Sequence, residues 1–343
     1  PRGRVMRLAL IGTGMVADTH LAAIRDAGLT LAYVMGQNPA RTQRFAQKAQ
    51  AALGYPVAAT TDLAEITGDP TLNFVIIATP PDVRLDLISP LAAAGKPILL
   101  EKPVARSLKE AEAVVRVCKD ADVPLGIVLQ LRMRAEVASL RAALPRLGPL
   151  GMVEVSVPWW RDQDYYDVPG RGTYGRDGGG VLLTQAIHTL DLMLSLAGPV
   201  TKVRALSATT SLHRMEAEDF VAAGLVFENG AVGHLMATTA AFPGGVERIT
   251  LNGRDGSAEL TPGRLDLRFR DGTEESHGAT AQSGGGADPM AFSHGWHQAI
   301  LEDFAQAVRD GRAPHVPGRE ALGVHRLVAA LEEAGRTGTE VQL

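Results

Sequence analysis

From Arg7 to about Val128 the chain alternates short, almost wholly apolar runs with longer stretches of helical period: RLALIG, then 17–27; TLAYVMG, then 39–53; NFVIIAT, then 82–94; PILLEK, then 107–121; PLGIVL. A strand that is apolar on both sides must be covered on both faces, and helices between such strands do the covering. The repeat predicts a doubly wound parallel sheet. Beyond Gly148 the pattern changes to alternating strands with hairpin turns at Glu228-Asn229-Gly230 and Arg270-Asp271-Gly272, which predicts a large, mostly antiparallel sheet. Helices are expected at about 180–197, 296–310 and 318–335, and the change of style divides the chain into 1–125 and 126–343.

With 343 residues, 45% of them hydrophobic and 21% charged, the chain is long enough for about two domains with real cores. The formal net charge of −4 is spread without a run of five like charges, so neither nucleic acid nor a membrane surface is an expected partner. No apolar stretch approaches the roughly 20 residues that span a bilayer, and the opening PRGRVMRLALIG leads into a strand instead of a signal peptide; the cytoplasm is the expected location. Cys118 is the single cysteine and sits on an apolar helix face, as a small buried hydrophobe would. No metal is expected. The segment GATAQSGGGADPMAFSHG, 278–295, is the only low-complexity stretch and reads as a mobile segment or a lid.

Gly12-Thr13-Gly14-Met15-Val16-Ala17 follows the first strand and opens the first helix. Gly12 suits the tight turn, Gly14 lets a pyrophosphate approach the backbone, and the helix N-terminus favours an anion. Residues 1–125 thus read as a dinucleotide-binding domain of Rossmann type. After the second strand the chain runs Gly36-Gln37-Asn38-Pro39, without the acid that would bind a ribose 2′-hydroxyl. This uncharged corner and Arg41 tilt the expectation from NAD slightly toward NADP, although Arg41 equally suits a solvated first helical turn. Glu101-Lys102-Pro103 ends the strand PILL, and the proline holds Lys102 extended at the sheet edge where open α/β folds bind ligands.

The stretch GGGVLLTQAIHTLD, 178–191, places Thr184, His188, Asp191 and Ser195 at i, i+4, i+7 and i+11 of an otherwise apolar helix. One polar stripe results, facing either solvent or a cavity; the three glycines ahead of it favour the cavity, and a histidine there suits proton transfer. The stretch WWRDQDYYDVPGRGTYG, 159–175, offers the aromatics Trp159, Trp160, Tyr165, Tyr166 and Tyr174 with Arg161 and Arg171 for stacking on a sugar and bonding its hydroxyls. Strand alternation sends Trp159 and Trp160 to opposite faces, so at most one lines a pocket.

Lysine, histidine and a dinucleotide site together describe a secondary-alcohol dehydrogenase. The sequence resembles the Gfo/Idh/MocA oxidoreductase family over nearly its whole length, through the GxGxxA turn, ATPPDV at 78–83, AAGKPILLEKP at 93–103, RGTYGRDGGG at 171–180, the HxxD helix and WHQAILEDFAQAVRDGRAPHV at 296–316. The resemblance implies a Rossmann domain, with Thr79, Pro80 and Glu101 joining the cofactor side, and an α+β domain that binds a sugar, sugar derivative or polyol. It makes Lys102 the residue at the reacting oxygen, His188 the acid/base and His297 a substrate contact. Two positions depart from the family pattern. Thr184 replaces an aspartate four residues before the histidine, leaving the charge supporting an imidazolium to Asp191 or the proton path to Lys102; Arg84 replaces a histidine. A homodimer or homotetramer through the open sheet face is expected. Two other activities fit the family: an NAD-dependent glycosidase working by transient oxidation and elimination, and a dinucleotide-binding sensor without turnover.

Overall fold

The computed structural model describes residues 6–281, 284–286, 290 and 292–343. The chain forms two compact units, one of the described residues up to Ala105 with Lys109–Gln130 and Ser293–Ala321, the other of Arg106–Leu108, Leu131–Phe292 and Leu322–Leu343. The first change of unit on the main path therefore falls after Gln130, and Ser293–Ala321 returns to the first unit instead of continuing the second. The start of the chain through Val5, and residues 282, 283, 287–289 and 291 of the expected lid, lie outside the described residues.

In the first unit, β1 (Arg7–Ile11), β2 (Thr30–Met35), β3 (Ala58–Thr60), β4 (Phe74–Ile77), β5 (Ile98–Glu101) and β6 (Leu125–Val128) form a wholly parallel sheet in the order β3-β2-β1-β4-β5-β6. Every residue of β4, β5 and β6 is buried, as the continuous apolar runs require. The helices are α1 (Ala17–Asp26), α2 (Pro39–Leu53), α3 (Leu63–Gly68), α4 (Arg84–Ala93) and α5 (Leu108–Asp120). Strand order reverses between β1 and β4, the switch point where such sheets hold ligands. A later helix, Gly295–Asp310 (α9), sets Phe304 edge-on against Phe74 with centroids 5.5 Å apart. Ile127 of β6 donates its N–H to the Val316 carbonyl at 2.9 Å, so the returning segment protects an otherwise open sheet edge. Cys118 is buried, and burial pushes its thiol up to about 12.

The second unit is built on nine strands: β7 (Leu150–Pro158), β8 (Val200–Ala208), β9 (Phe220–Phe227), β10 (Val232–Thr238), β11 (Arg248–Gly253), β12 (Gly256–Thr261), β13 (Arg264–Phe269), β14 (Glu274–Gly278) and β15 (Val341–Gln342). Their order is β14-β13-β12-β11-β7-β10-β9-β8-β15, with only the β7–β10 pair parallel. Burial alternates along β12 and the latter part of β7. Helices α6 (Ala135–Leu147) and α8 (Ile187–Ala197) cover one face, where each large aliphatic side chain taken out of water contributes about 1.5–3 kcal/mol. The opposite face carries Glu154, Ser156, His234, Met236 and Arg248. Among the described residues the short α7 (Gln163–Tyr166) and the long α10 (Gly318–Thr337) complete the helices. The expected fold class, a Rossmann sheet followed by an antiparallel-rich α+β domain, is the one observed; β3, α3, α6, α7 and β15 were not expected.

Candidate active site

The glycine turn occupies the end of β1. Gly12 has φ +112°, and a Cβ there would stand 2.6 Å from the Ala78 carbonyl oxygen, so β1 and the end of β4 meet backbone to backbone. A Cβ on Gly14, by contrast, would meet no protein atom within 4 Å. That open approach, directly ahead of α1, fits a pyrophosphate on the helix N-terminus, with Thr13, Met15 and Val16 completing the turn. Gly36, Gln37 and Asn38 follow β2 as expected, but the Asn38 side chain is committed: it accepts from the Arg41 N–H at 2.9 Å and caps α2. The exposed Arg41 guanidinium donates to the Thr13 carbonyl at 2.5 Å, bringing a cation to the glycine turn.

At the end of β5 a buried charge network surrounds the lysine. Arg84 is only 2% exposed, and its guanidinium donates to the carbonyls of Thr79 (2.7 Å from Nη2), Glu101 and Pro103. Burial draws its pKa down to about 10, with the Glu101 and Asp82 charges opposing. The histidine-to-arginine departure thus has a structural answer: Arg84 ties the Thr79-Pro80 segment to both sides of Lys102, across a Lys102–Pro103 peptide that is cis. The Glu101 carboxylate lies 2.8 Å from His20 Nε2 and 3.5 Å from His297 Nε2, and accepts from the Lys102 N–H at 3.2 Å. Burial pushes the Glu101 pKa up, but bonds from His20 and His297 outweigh it and hold the group well below the carboxylate range. Burial lowers His297, against the pull of Glu101.

His297, expected as a substrate contact, is 2% exposed and joined to Glu101. His20 escaped the sequence reading because its partner is 81 residues away. The ligand atoms of His20, Glu101 and His297 lie within 4.8 Å of one another, the spacing of a three-ligand metal group. With His20 at hydrogen-bond distance from the carboxylate, the trio is explained as a hydrogen-bonded network around the Glu101 carboxylate.

In the second unit the helix expected over 180–197 begins with one π-helical turn, Leu182–Ala186, before α8. The glycine run does allow close approach, but by this chain's own backbone. A Cβ on Gly180 would lie 1.8 Å from the Glu218 carbonyl oxygen, and one on Gly178 2.4 Å from that of Arg106. The buried Glu218 carboxylate accepts from the N–H groups of Gly180 and Leu182, both at 3.1 Å, and so satisfies donors at the helix start. Burial raises its pKa against those bonds. Burial and then the Glu218 charge raise neighbouring Glu332 to about 8.

The expected polar stripe is divided between partners. Both oxygens of Asp191 accept from Arg132, at 2.7 and 2.8 Å, and Ser195 Oγ accepts from Arg141 at 3.1 Å. Asp191 is thereby an ion-paired anchor for α8. The Thr184 hydroxyl lies 2.7 Å from the Gly180 carbonyl and also bonds Gln185 Oε1; Gln185 Nε2 donates to Tyr165 Oη at 3.4 Å. The Arg171 guanidinium lies 4.0 Å from the Tyr165 ring centroid. Thr184, Gln185, Tyr165 and Arg171 form one contact chain, with His188, buried, four residues beyond Thr184. Gln185 was not among the expected residues: an amide beside a threonine in an apolar helix carries no sequence signature of its own.

The aromatic stretch contributes less than expected. Trp159 is buried and Trp160 half-buried. The Trp160 indole N–H donates to Asp162 at 3.1 Å, and its ring meets Phe242 edge-on. Arg161 is buried and donates to the carbonyls of Trp160, Gly284 and Gly286 at 2.7–2.8 Å, so it braces a loop and is not available to a sugar. Tyr166 is also buried, bonding Thr239 at 2.6 Å, and burial raises its pKa. Tyr174 is 49% exposed, with its N–H on Glu216.

Comparison with known proteins gives a consistent picture. Residues 6–128 match the oxidoreductase family described as an NAD-binding Rossmann fold, and residues 141–259 match the GFO/IDH/MocA C-terminal domain. A D-apiose dehydrogenase of Rhizobium rhizogenes is 26% identical, with 98% of this chain and 96% of that protein covered. An inositol 2-dehydrogenase of Rhizobium meliloti is 26% identical over 74% of each chain. Among solved structures, the WlbA dehydrogenase from Bordetella pertussis in complex with NADH and UDP-GlcNAcA aligns with a TM-score of 0.83 at 29% identity, covering 99% of both chains.

Proposed function

We propose that this chain, which belongs to the Gfo/Idh/MocA oxidoreductase family, is an NAD(P)-dependent dehydrogenase or reductase of a secondary alcohol or carbonyl in a sugar, sugar derivative or polyol. The observation that carries the reading is the lysine at the end of β5, its neighbours locked by Arg84 and Glu101, in a sheet whose β1 turn fits a dinucleotide. When bound, the nicotinamide would supply the hydride acceptor or donor. Gly12, Thr13, Gly14, Met15 and Val16 would hold the pyrophosphate, and Thr79, Pro80 and Glu101 border the same strand ends. Lys102 Nζ contacts the reacting oxygen, and the His188 imidazole takes the hydroxyl proton on oxidation and returns it on reduction. Thr184 bonds a substrate hydroxyl, while Asp191 fixes the helix through Arg132.

Arg41, drawn to the glycine turn with no acid after β2, supports NADP over NAD. We place the enzyme in the cytoplasm, where nicotinamide dinucleotides are held. Its open sheet face, with Met152 and Val232 exposed among Glu154, His234 and Arg248, supports a homodimer or homotetramer. No described helix is long and apolar enough to cross a membrane.

The test is reduction followed at 340 nm, with NAD and NADP in separate wells, against aldoses, uronates, amino sugars, glycosides and inositols. Reduction with at least one sugar or polyol is the expected result. Aglycone release without net reduction would mark the glycosidase instead, and saturable NAD(P)H binding without either reaction would mark the sensor.

A further inference from the structure

We infer that Arg171 is the receptor for a carboxylate on the substrate, so that the preferred substrate is an acidic sugar such as a uronate or aldonate. The inference deepens the dehydrogenase reading and rests on it. Arg171 is half-buried, its Nε is enclosed, and among the described residues its guanidinium has no hydrogen-bond or ion-pair partner. The guanidinium lies over the Tyr165 ring, 4.0 Å from its centroid. A partly desolvated cation retained without a counter-charge is unfavourable unless a ligand supplies one.

Nearby arginines are otherwise engaged: Arg161 with three carbonyls, Arg176 with Asp177 at 3.1 Å, and Arg106 with the Gly175 carbonyl at 2.8 Å. Arg171 is also placed where substrate specificity would be read. Tyr165, on which it lies, accepts from Gln185, and Gln185 accepts from Thr184 in the turn leading to His188. The aromatic face fixes the plane of the guanidinium and leaves its donor edge for a planar, bidentate acceptor. One guanidinium balances the single charge of a carboxylate. A phosphate monoester carries about −1.5 to −2 and would need a second cation, while Arg161 and Arg176 are committed.

The experiment is calorimetric titration in saturating NADPH of D-glucuronate, D-galacturonate and D-gluconate, each against its neutral parent sugar, with D-glucose 6-phosphate as a further arm. Wild type, Arg171→Met and Arg171→Lys are compared. At least one acid is expected to bind about 10- to 100-fold more tightly than its parent, the range of a charge-assisted hydrogen bond pair. The gap should collapse to about twofold or less in Arg171→Met and survive in part in Arg171→Lys, which keeps the charge but not the fork. Equal binding of every acid and its parent, or a gap undiminished in Arg171→Met, overturns the inference. Tighter, Arg171-dependent binding of the phosphate than of any acid overturns the carboxylate assignment.

Absorbance at 340 nm on the same panel reads the dehydrogenase separately. Arg171-dependent acid binding without turnover would sink that reading and leave the carboxylate receptor standing. Efficient turnover of neutral sugars with no preference for acids would do the reverse.

Discussion

The end of β5 in the first unit and the start of α8 in the second are both buried and polar, but they are held in opposite ways. Around Lys102 the protein spends full charges: Arg84 gathers the carbonyls of Thr79, Glu101 and Pro103, and two histidines hold Glu101 ionised. The Thr184 and Gln185 side chains make neutral bonds, from hydroxyl to carbonyl and from amide to phenol, and the glycine run packs backbone on backbone, with the Glu218 carboxylate taking the Gly180 and Leu182 N–H groups beside them. Burial, and then the Glu218 charge, raises nearby Glu332. A centre locked by charge keeps one lysine in one geometry; a centre of neutral, rotatable donors can be retuned to a new substrate by single substitutions.

The largest effects are expected where buried backbone contacts are closest. Gly180→Ala forces a methyl into the Glu218 carbonyl, and the backbone shift should cost about 3 kcal/mol or more, read as a lower denaturant midpoint with unchanged slope. A neutral result would mean the second centre is not held by backbone contact. Arg84→Met leaves three buried carbonyls without their donor and should destabilise by about 2–3 kcal/mol. If Arg84→Met keeps wild-type stability and kcat together, charge does not hold the first centre.

Smaller effects are expected where a charge is added or a titrating group removed. Thr184→Asp introduces a carboxylate four residues before His188. A negative neighbour favours the imidazolium, so the acid limb of the kcat/KM profile should move up by about one pH unit; an unmoved limb means His188 is not the group titrating. Glu332→Gln should act on stability alone. Glu332 titrates near 8 when folded against about 4.3 unfolded, so its favourable contribution is full below about pH 4 and is lost as pH rises to 8. As pH rises from about 4 to 8, thermal unfolding should therefore show the stability difference moving steadily in favour of the glutamine variant, on top of a constant offset. A parallel difference at all pH values would contradict the shifted titration.

The strand core was legible because FVII and ILL are apolar on both sides, and parallel pairing follows from the helices between the strands; the strand order carried no sequence signal. β3 escaped notice because Ala58-Ala59-Thr60 carries neither length nor bulk. α6 was legible but passed over: Val137, Leu140, Ala143 and Leu147 are buried at helical spacing. The candidate site was legible in outline, since local spacing singles out Gly12, Lys102 and His188 as candidates. It was not legible where partners are distant in sequence: His20 with Glu101, Asp191 with Arg132, and Arg161 with Gly284 and Gly286. Those pairings turned expected substrate contacts, Arg161 and His297, into buried braces. The π-helical turn at Leu182–Ala186 had no sequence mark, because an ideal helix pattern absorbs one extra residue without a visible break.

The most direct test of the central claim is steady-state kinetics of Lys102→Ala and His188→Ala on the best sugar from the 340 nm panel, alongside NADH dissociation constants. The account predicts that each variant loses about 100-fold or more in kcat while NADH affinity changes by less than about threefold, as expected for groups acting on the proton and not the cofactor. Either variant retaining kcat within about twofold of wild type would contradict it.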